Sequence, residues 1–147
     1  MKNLRHSALV LAAICGAAVP SIAATTAAPS ALGETAKVAS AQWSDIKDHS
    51  HEMRTEFFAG LRRLELKLDA QIRGLAAKRA TMKGITGTRE WDIAMKELES
   101  AQSYLRAVGA AIHEASRETW DQEKDKVGRA WVNTQDAYGK VKSSTTS

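Results

Sequence analysis

The sequence predicts an all-α antiparallel helical bundle or hairpin, with one long helix over about 40–83 and two shorter ones over about 89–115 and 120–142. Three observations carry that fold class. Phe57, Leu61, Leu64, Leu68, Ile72, Leu75, Arg79 and Met82 recur at steps of three and four, and all but Arg79 are apolar. That spacing keeps the side chains on one face of an α-helix. A second stripe, Trp91, Ala94, Leu98, Ala101, Leu105, Val108, Ile112 and Ala115, alternates the same steps in a heptad pattern of the coiled-coil kind. Between the two, Lys83-Gly84-Ile85-Thr86-Gly87 places two glycines in a short turn, which sets consecutive helices antiparallel.

Taken in order, the chain opens on a leader. Lys2 and Arg5 form a positive head, Ser7 to Val19 is an apolar run too short to span a bilayer comfortably, and Pro20 ends it. Ser21 and Ala23 then supply the small residues that a signal peptidase reads. Residues 1–23 are expected to be a Sec-type signal peptide cleaved after Ala23, making the protein periplasmic or secreted. Cys15, the one cysteine, lies inside this leader and follows Ile14 rather than the small residue of a lipoprotein site. The mature chain therefore has no thiol, which excludes a disulfide framework, a cysteine zinc site and a cysteine nucleophile.

Lys and Arg number 21 against 17 Asp and Glu, a formal charge of +4. The leader takes Lys2 and Arg5 and no acid, which lowers +4 to +2 with both signs interspersed. No basic block of the kind that holds nucleic acid stands out.

Residues 24–39 are rich in Ala, Thr and Ser, carry Pro29 and Gly33 and offer little to bury, so they read as a flexible arm that turns helical from about Glu34. Ser40 is expected to cap the long helix, with Trp43 and Asp45 in its first turns. Its weak point is Asp48-His49-Ser50-His51, where Ser50 falls at an apolar position of the stripe. Thr88 is placed as the cap of the second helix, ahead of Glu90 and Asp92. Continued past Ser116, the heptad seam would meet only polar residues, so that helix ends there. Thr119-Trp120-Asp121-Gln122 fits a capping box opening the third helix, buried through Trp120, Val127, Trp131, Thr134, Tyr138 and Val141. The bundle domain spans 40–142, and the polar tail 143–147 is expected to fray.

Groups that could carry chemistry are sparse. Asp45, His49 and Glu52 would share a face if the long helix were continuous there, with Asp48 and His51 beside them and His113-Glu114 on the second helix. The Glu-x-x-His of di-metal bundles and the HExxH of zinc proteases are both absent. No Gly-x-Ser-x-Gly elbow is present, and Gly84 to Thr88 follows a helix rather than a strand and lacks the P-loop lysine. No catalytic, cofactor-binding or metal-ligating residue is assigned, and no cofactor is expected. Asp69 with Arg73 and Asp92 with Lys96 read as i, i+4 ion pairs, and Arg62, Arg63 and Lys67 make a small basic cluster beside the stripe. No residue pattern carries a family: the Leu-Thr-x-x-Gln segments of helical periplasmic chaperones are missing, as are the proline-punctuated repeats of exchangeable apolipoproteins.

The expected function is that of a small exported, non-catalytic helical protein of the bacterial cell envelope acting by protein–protein contact. The partner would be a second copy, an envelope protein or an unfolded client, and the long helix would supply the contact strip. The alternatives are an amphipathic lipid-surface binder, or a metal carrier using His49 and His51, with His113 as a further ligand.

Overall fold

The computed structural model describes residues 28–83 and 86–144. They form an all-α bundle of four helices: α1 (Ala28–Ser40), α2 (Arg54–Thr81), α3 (Thr86–Ala111) and α4 (Trp120–Ser143). No strand occurs among the described residues. Residues 1–27, which include the expected signal peptide, Gly84 with Ile85, and residues 145–147 lie outside them.

α1 starts earlier than Glu34, with Pro29 in its first turn, where a missing N–H breaks no helical hydrogen bond. Ser40 is the last residue of this helix, not the cap of the next, and its hydroxyl donates back to the Lys37 carbonyl at 3.3 Å.

The long helix expected from 40 to 83 is broken, and only Arg54–Thr81 is continuous. Between α1 and α2 the chain makes two 3-10 turns, Trp43–Asp45 and His51–Met53, the first braced by the Gln42 N–H donating to Asp45 Oδ2 at 2.8 Å. The break has two causes. Asp48, Ser50 and their neighbours compete with the helix for backbone hydrogen bonds, and Ala41 and Ile46 become buried only when the segment folds back on the bundle. Ile46 then occupies the space above Gly60 of α2, and Trp43 that above Gly128 of α4, so both contacts require a residue without a β-carbon.

The stripe on α2 is core: Phe57, Leu61, Leu64, Leu68 and Leu75 are buried, with Ile72 and Met82 packed against them. Trp91, Met95, Leu98, Leu105 and Ile112 meet them from the α3 side, and Trp120, Val127, Ala130, Trp131, Thr134, Ala137 and Val141 from α4. α2 and α3 run antiparallel, as the pairs 79 with 92, 69 with 106, 61 with 109 and 58 with 113 descend one helix while ascending the other. The closest backbone approach is between α3 and α4. Ala94 and Ala101 face Ala130, Thr134 and Ala137 in the same core, and small side chains shorten the distance between helix axes. Thr134 satisfies its buried hydroxyl by donating to the Ala130 carbonyl at 2.7 Å.

α3 begins at Thr86, so Thr88 lies inside it rather than before it. Its last turn tightens into a 3-10 turn, Ile112–Glu114. Thr119 does precede α4, but its side chain makes no capping bond to that helix and instead accepts the Ser116 N–H at 3.0 Å. The short Ser116–Thr119 reversal claims the hydroxyl first, and the expected capping box does not form.

Candidate functional site: a lysine-rimmed groove between α1, α2 and α4

At one end of the bundle, aromatic rings close the core. Phe57 meets Trp120 edge to face at 5.1 Å between centroids, and Phe58 stacks on His113 at 3.7 Å, nearly parallel. His51 lies edge-on to Trp120 at 5.5 Å. The Trp120 indole and Lys124 both donate to the His49 carbonyl, at 3.0 and 2.9 Å, which ties the folded-back segment to α4. Arg117 reaches Glu52 at 2.7 Å. The Ser50 side chain and its own backbone amide hold the Glu52 carboxyl below its ordinary range, with Arg117 and His51 adding attraction. Glu118 is lowered in the same way, first by the Ser116 side chain.

The rings of His51 and His113 are thus placed in packing roles, and His49 serves through its carbonyl. The shared helical face of Asp45, His49 and Glu52 does not exist, because those residues lie in 3-10 turns and bends. Among the described residues no three His, Cys, Asp or Glu side chains come together as a metal ion would need.

The expected i, i+4 pairs are also re-partnered. Asp69 takes Arg106 and Gln102 of α3, each at 2.6 Å, rather than Arg73. Asp92 takes Arg79 of α2, with Lys96 contributing only a weaker attraction. Single-helix spacing gives no sign of such cross-helix partners, since they depend on the register of α2 against α3.

Among the described residues, two concavities reach about 600 Å³. One, of about 610 Å³, lies between the folded-back segment and α4. Lys47 and Arg129 face Asp48 and Asp125 there, so it carries both signs and selects for neither. The other, of about 600 Å³, is a groove under α1. Val38 lines it from α1, Ala70, Gly74 and Leu75 from α2, and Tyr138 from α4, with Lys67, Lys78 and Lys142 around them and no acidic residue among the described residues of the lining. Small clefts of a few hundred Å³ with mostly apolar walls and a few polar groups are the usual form of a binding site.

Local packing explains the groove. Ala70 and Gly74 leave α2 without bulk, and a β-carbon added at Gly74 would meet nothing within 4 Å. α1 bridges it, tied to α2 by Arg63 to Glu34 at 3.4 Å and, just past its end, by Lys67 Nζ to the Ala41 carbonyl at 2.8 Å. Lys142 Nζ sits 5.7 Å from the centroid of the Tyr138 ring. In the wall, Gln71 Oε1 is buried with no hydrogen-bond partner among the described residues. Leaving such an acceptor unmet costs about 1–3 kcal/mol.

The sequence pointed to the strip on the long helix and to the histidines, and of these the groove takes only Leu75. Lys67 was visible in the basic cluster, but Lys142 and Tyr138 join it only through the return of α4. No helix among the described residues is long and apolar enough to cross a membrane. Comparison of the chain with protein-family models, with curated proteins and with solved structures returns no match.

Proposed function

We propose that this chain is a small exported protein of the bacterial cell envelope that acts by contact and without catalysis. The leader reading supports export. The absence of a thiol after cleavage and the lack of any nucleophile–base motif support a non-catalytic role. Its contact surface is the groove between α1, α2 and α4. One observation carries that choice: the apolar stripe of α2 is used inside the bundle, so it is not the contact strip, whereas the groove is apolar, concave and open. Among the described residues the large apolar side chains left exposed are Met53, Ile93, Tyr104 and Val132; Ile93 and Tyr104 share α3 but stand about three turns apart, and the four make no rival strip.

The partner is a second copy of the chain, an envelope protein or an unfolded client. Light scattering across a concentration series reads self-association directly, and a mass that stays monomeric at every concentration removes it. N-terminal sequencing of the protein from the periplasmic fraction should start at Ala24. Recovery of an uncut chain from the cytoplasm overturns the exported reading. Binding to a lipid surface is a second reading, supported by the three lysines on one apolar groove. Liposome flotation tests it, and a protein that stays at the bottom removes it.

A further inference from the structure

We infer that the groove under α1 is a ligand site for a free single-chain amphiphile with a carboxylate head, its alkyl chain lying along Val38, Ala70, Gly74, Leu75 and Tyr138. The inference rests on the groove being a working surface of the protein and goes beyond the protein partners named above by giving it a small-molecule occupant.

Three features of the groove select that chemistry. Its volume of about 600 Å³ falls in the range of small-molecule sites. Apart from Thr35 and Gln71, its uncharged walls are alkyl and aromatic, which favours a chain over a sugar or a nucleotide. The described residues of its lining carry Lys67, Lys78 and Lys142 and no Asp or Glu, so an anion gains and a cation loses. Lys67 is tied to the Ala41 carbonyl, and because an ammonium has several donors, Lys78 and Lys142 can each hold a carboxylate beside the contacts they already make. A bilayer is the poorer occupant because the apolar surface is recessed beneath α1 rather than presented on a convex helix face. Gly74 supplies the room for the chain, since nothing stands above it within 4 Å.

The test is fluorescence titration of the full chain with cis-parinaric acid, its methyl ester and the uncharged dye N-phenylnaphthylamine. Parinarate should bind saturably, and about ten-fold more tightly than the ester, the difference that one charge-assisted contact makes. Lys78→Gln with Lys142→Gln should remove that ten-fold preference and leave the ester unchanged. Gly74→Leu fills the groove from an open position on a helix that favours leucine over glycine. It should therefore abolish binding of all three probes while circular dichroism stays that of the wild type.

Equal affinity for acid and ester overturns the carboxylate assignment, as does a preference that survives loss of both lysines. Dye binding that Gly74→Leu abolishes, with no saturable parinarate binding, overturns this inference and leaves the groove as a contact surface. No binding of any probe, or binding that Gly74→Leu leaves intact, removes the groove itself. Flotation with anionic vesicles that is the same in wild type and Gly74→Leu assigns the lysines to a membrane surface and likewise overturns the inference.

Discussion

Arg79 grips Asp92 with two hydrogen bonds, Nε to Oδ1 at 3.0 Å and Nη2 to Oδ2 at 3.2 Å, so the one charged residue on the α2 stripe is a clamp between α2 and α3. Its guanidinium also lies 5.7 Å from the centroid of the Trp91 ring. An arginine can hold a carboxylate in a fork and lie against an aromatic face at once, which a lysine cannot. The residue that looked like a flaw in the stripe closes the end of the bundle far from the aromatic cluster.

That clamp has a pH signature. The Arg79 fork holds the Asp92 carboxyl below its ordinary 3.8. Glu52 and Glu118 are likewise held below 4.5. A carboxyl with a lowered folded pKa adds stability above its unfolded pKa and loses it as pH falls through the folded one. Melting temperature should therefore be flat down to about pH 4.5 and fall below it. All three groups are exposed, so added salt should weaken the effect. Asp92→Asn should flatten the acid limb, and a thermal melt series from pH 2 to 7 checks it.

The stripe on α2 is tested at Leu68, which is almost fully buried. Leu68→Ala should cost about 2–5 kcal/mol in urea unfolding, the transfer of the side chain plus the cavity it leaves. A cost near zero would mean that Leu68 faces water.

Two glycines should respond in opposite directions. At Gly128 a β-carbon would come within 2.7 Å of Trp43 Cζ2, part of a rigid ring. Gly128→Ala should destabilise by about 1–3 kcal/mol, overriding the helix-propensity gain. At Gly74 the space is open, and Gly74→Ala should stabilise by about 0.4–1 kcal/mol. Urea unfolding of the pair, followed by far-UV circular dichroism, measures both.

Trp120 carries both a buried ring and a hydrogen bond to the His49 carbonyl. Trp120→Phe should cost about 1–2 kcal/mol, because Lys124 still satisfies that carbonyl. Trp120→Ala should cost about 3–5 kcal/mol, since Phe57 and Phe58 then lose the ring they pack against. Equal costs for the two would mean that the hydrogen bond, not the ring, holds this end together.

Gln71 is a polar acceptor kept unpartnered in the groove wall. Gln71→Leu should raise stability by about 1 kcal/mol, because it removes an unmet acceptor and adds apolar burial. Thermal denaturation at neutral pH decides it, and an unchanged or lower melting temperature would show that the amide is already satisfied.

What the sequence determined alone is the helical class, the two apolar stripes, the reversal between them and the start of α4 at Trp120. These follow from the 3.6-residue period and from glycine and polar breaks, which act over a few residues and leave their mark in spacing. The tertiary structure decided the rest. The expected long helix breaks because Trp43 and Ile46 find cover over Gly128 and Gly60, partners distant in sequence. Asp69 and Asp92 leave their i+4 neighbours for arginines on another helix. The groove exists only where α1, α2 and α4 converge, so no local pattern announces it. Periodicity encodes which face of a helix is buried; which residues stand opposite one another depends on how the helices are set side by side, and that is fixed by packing.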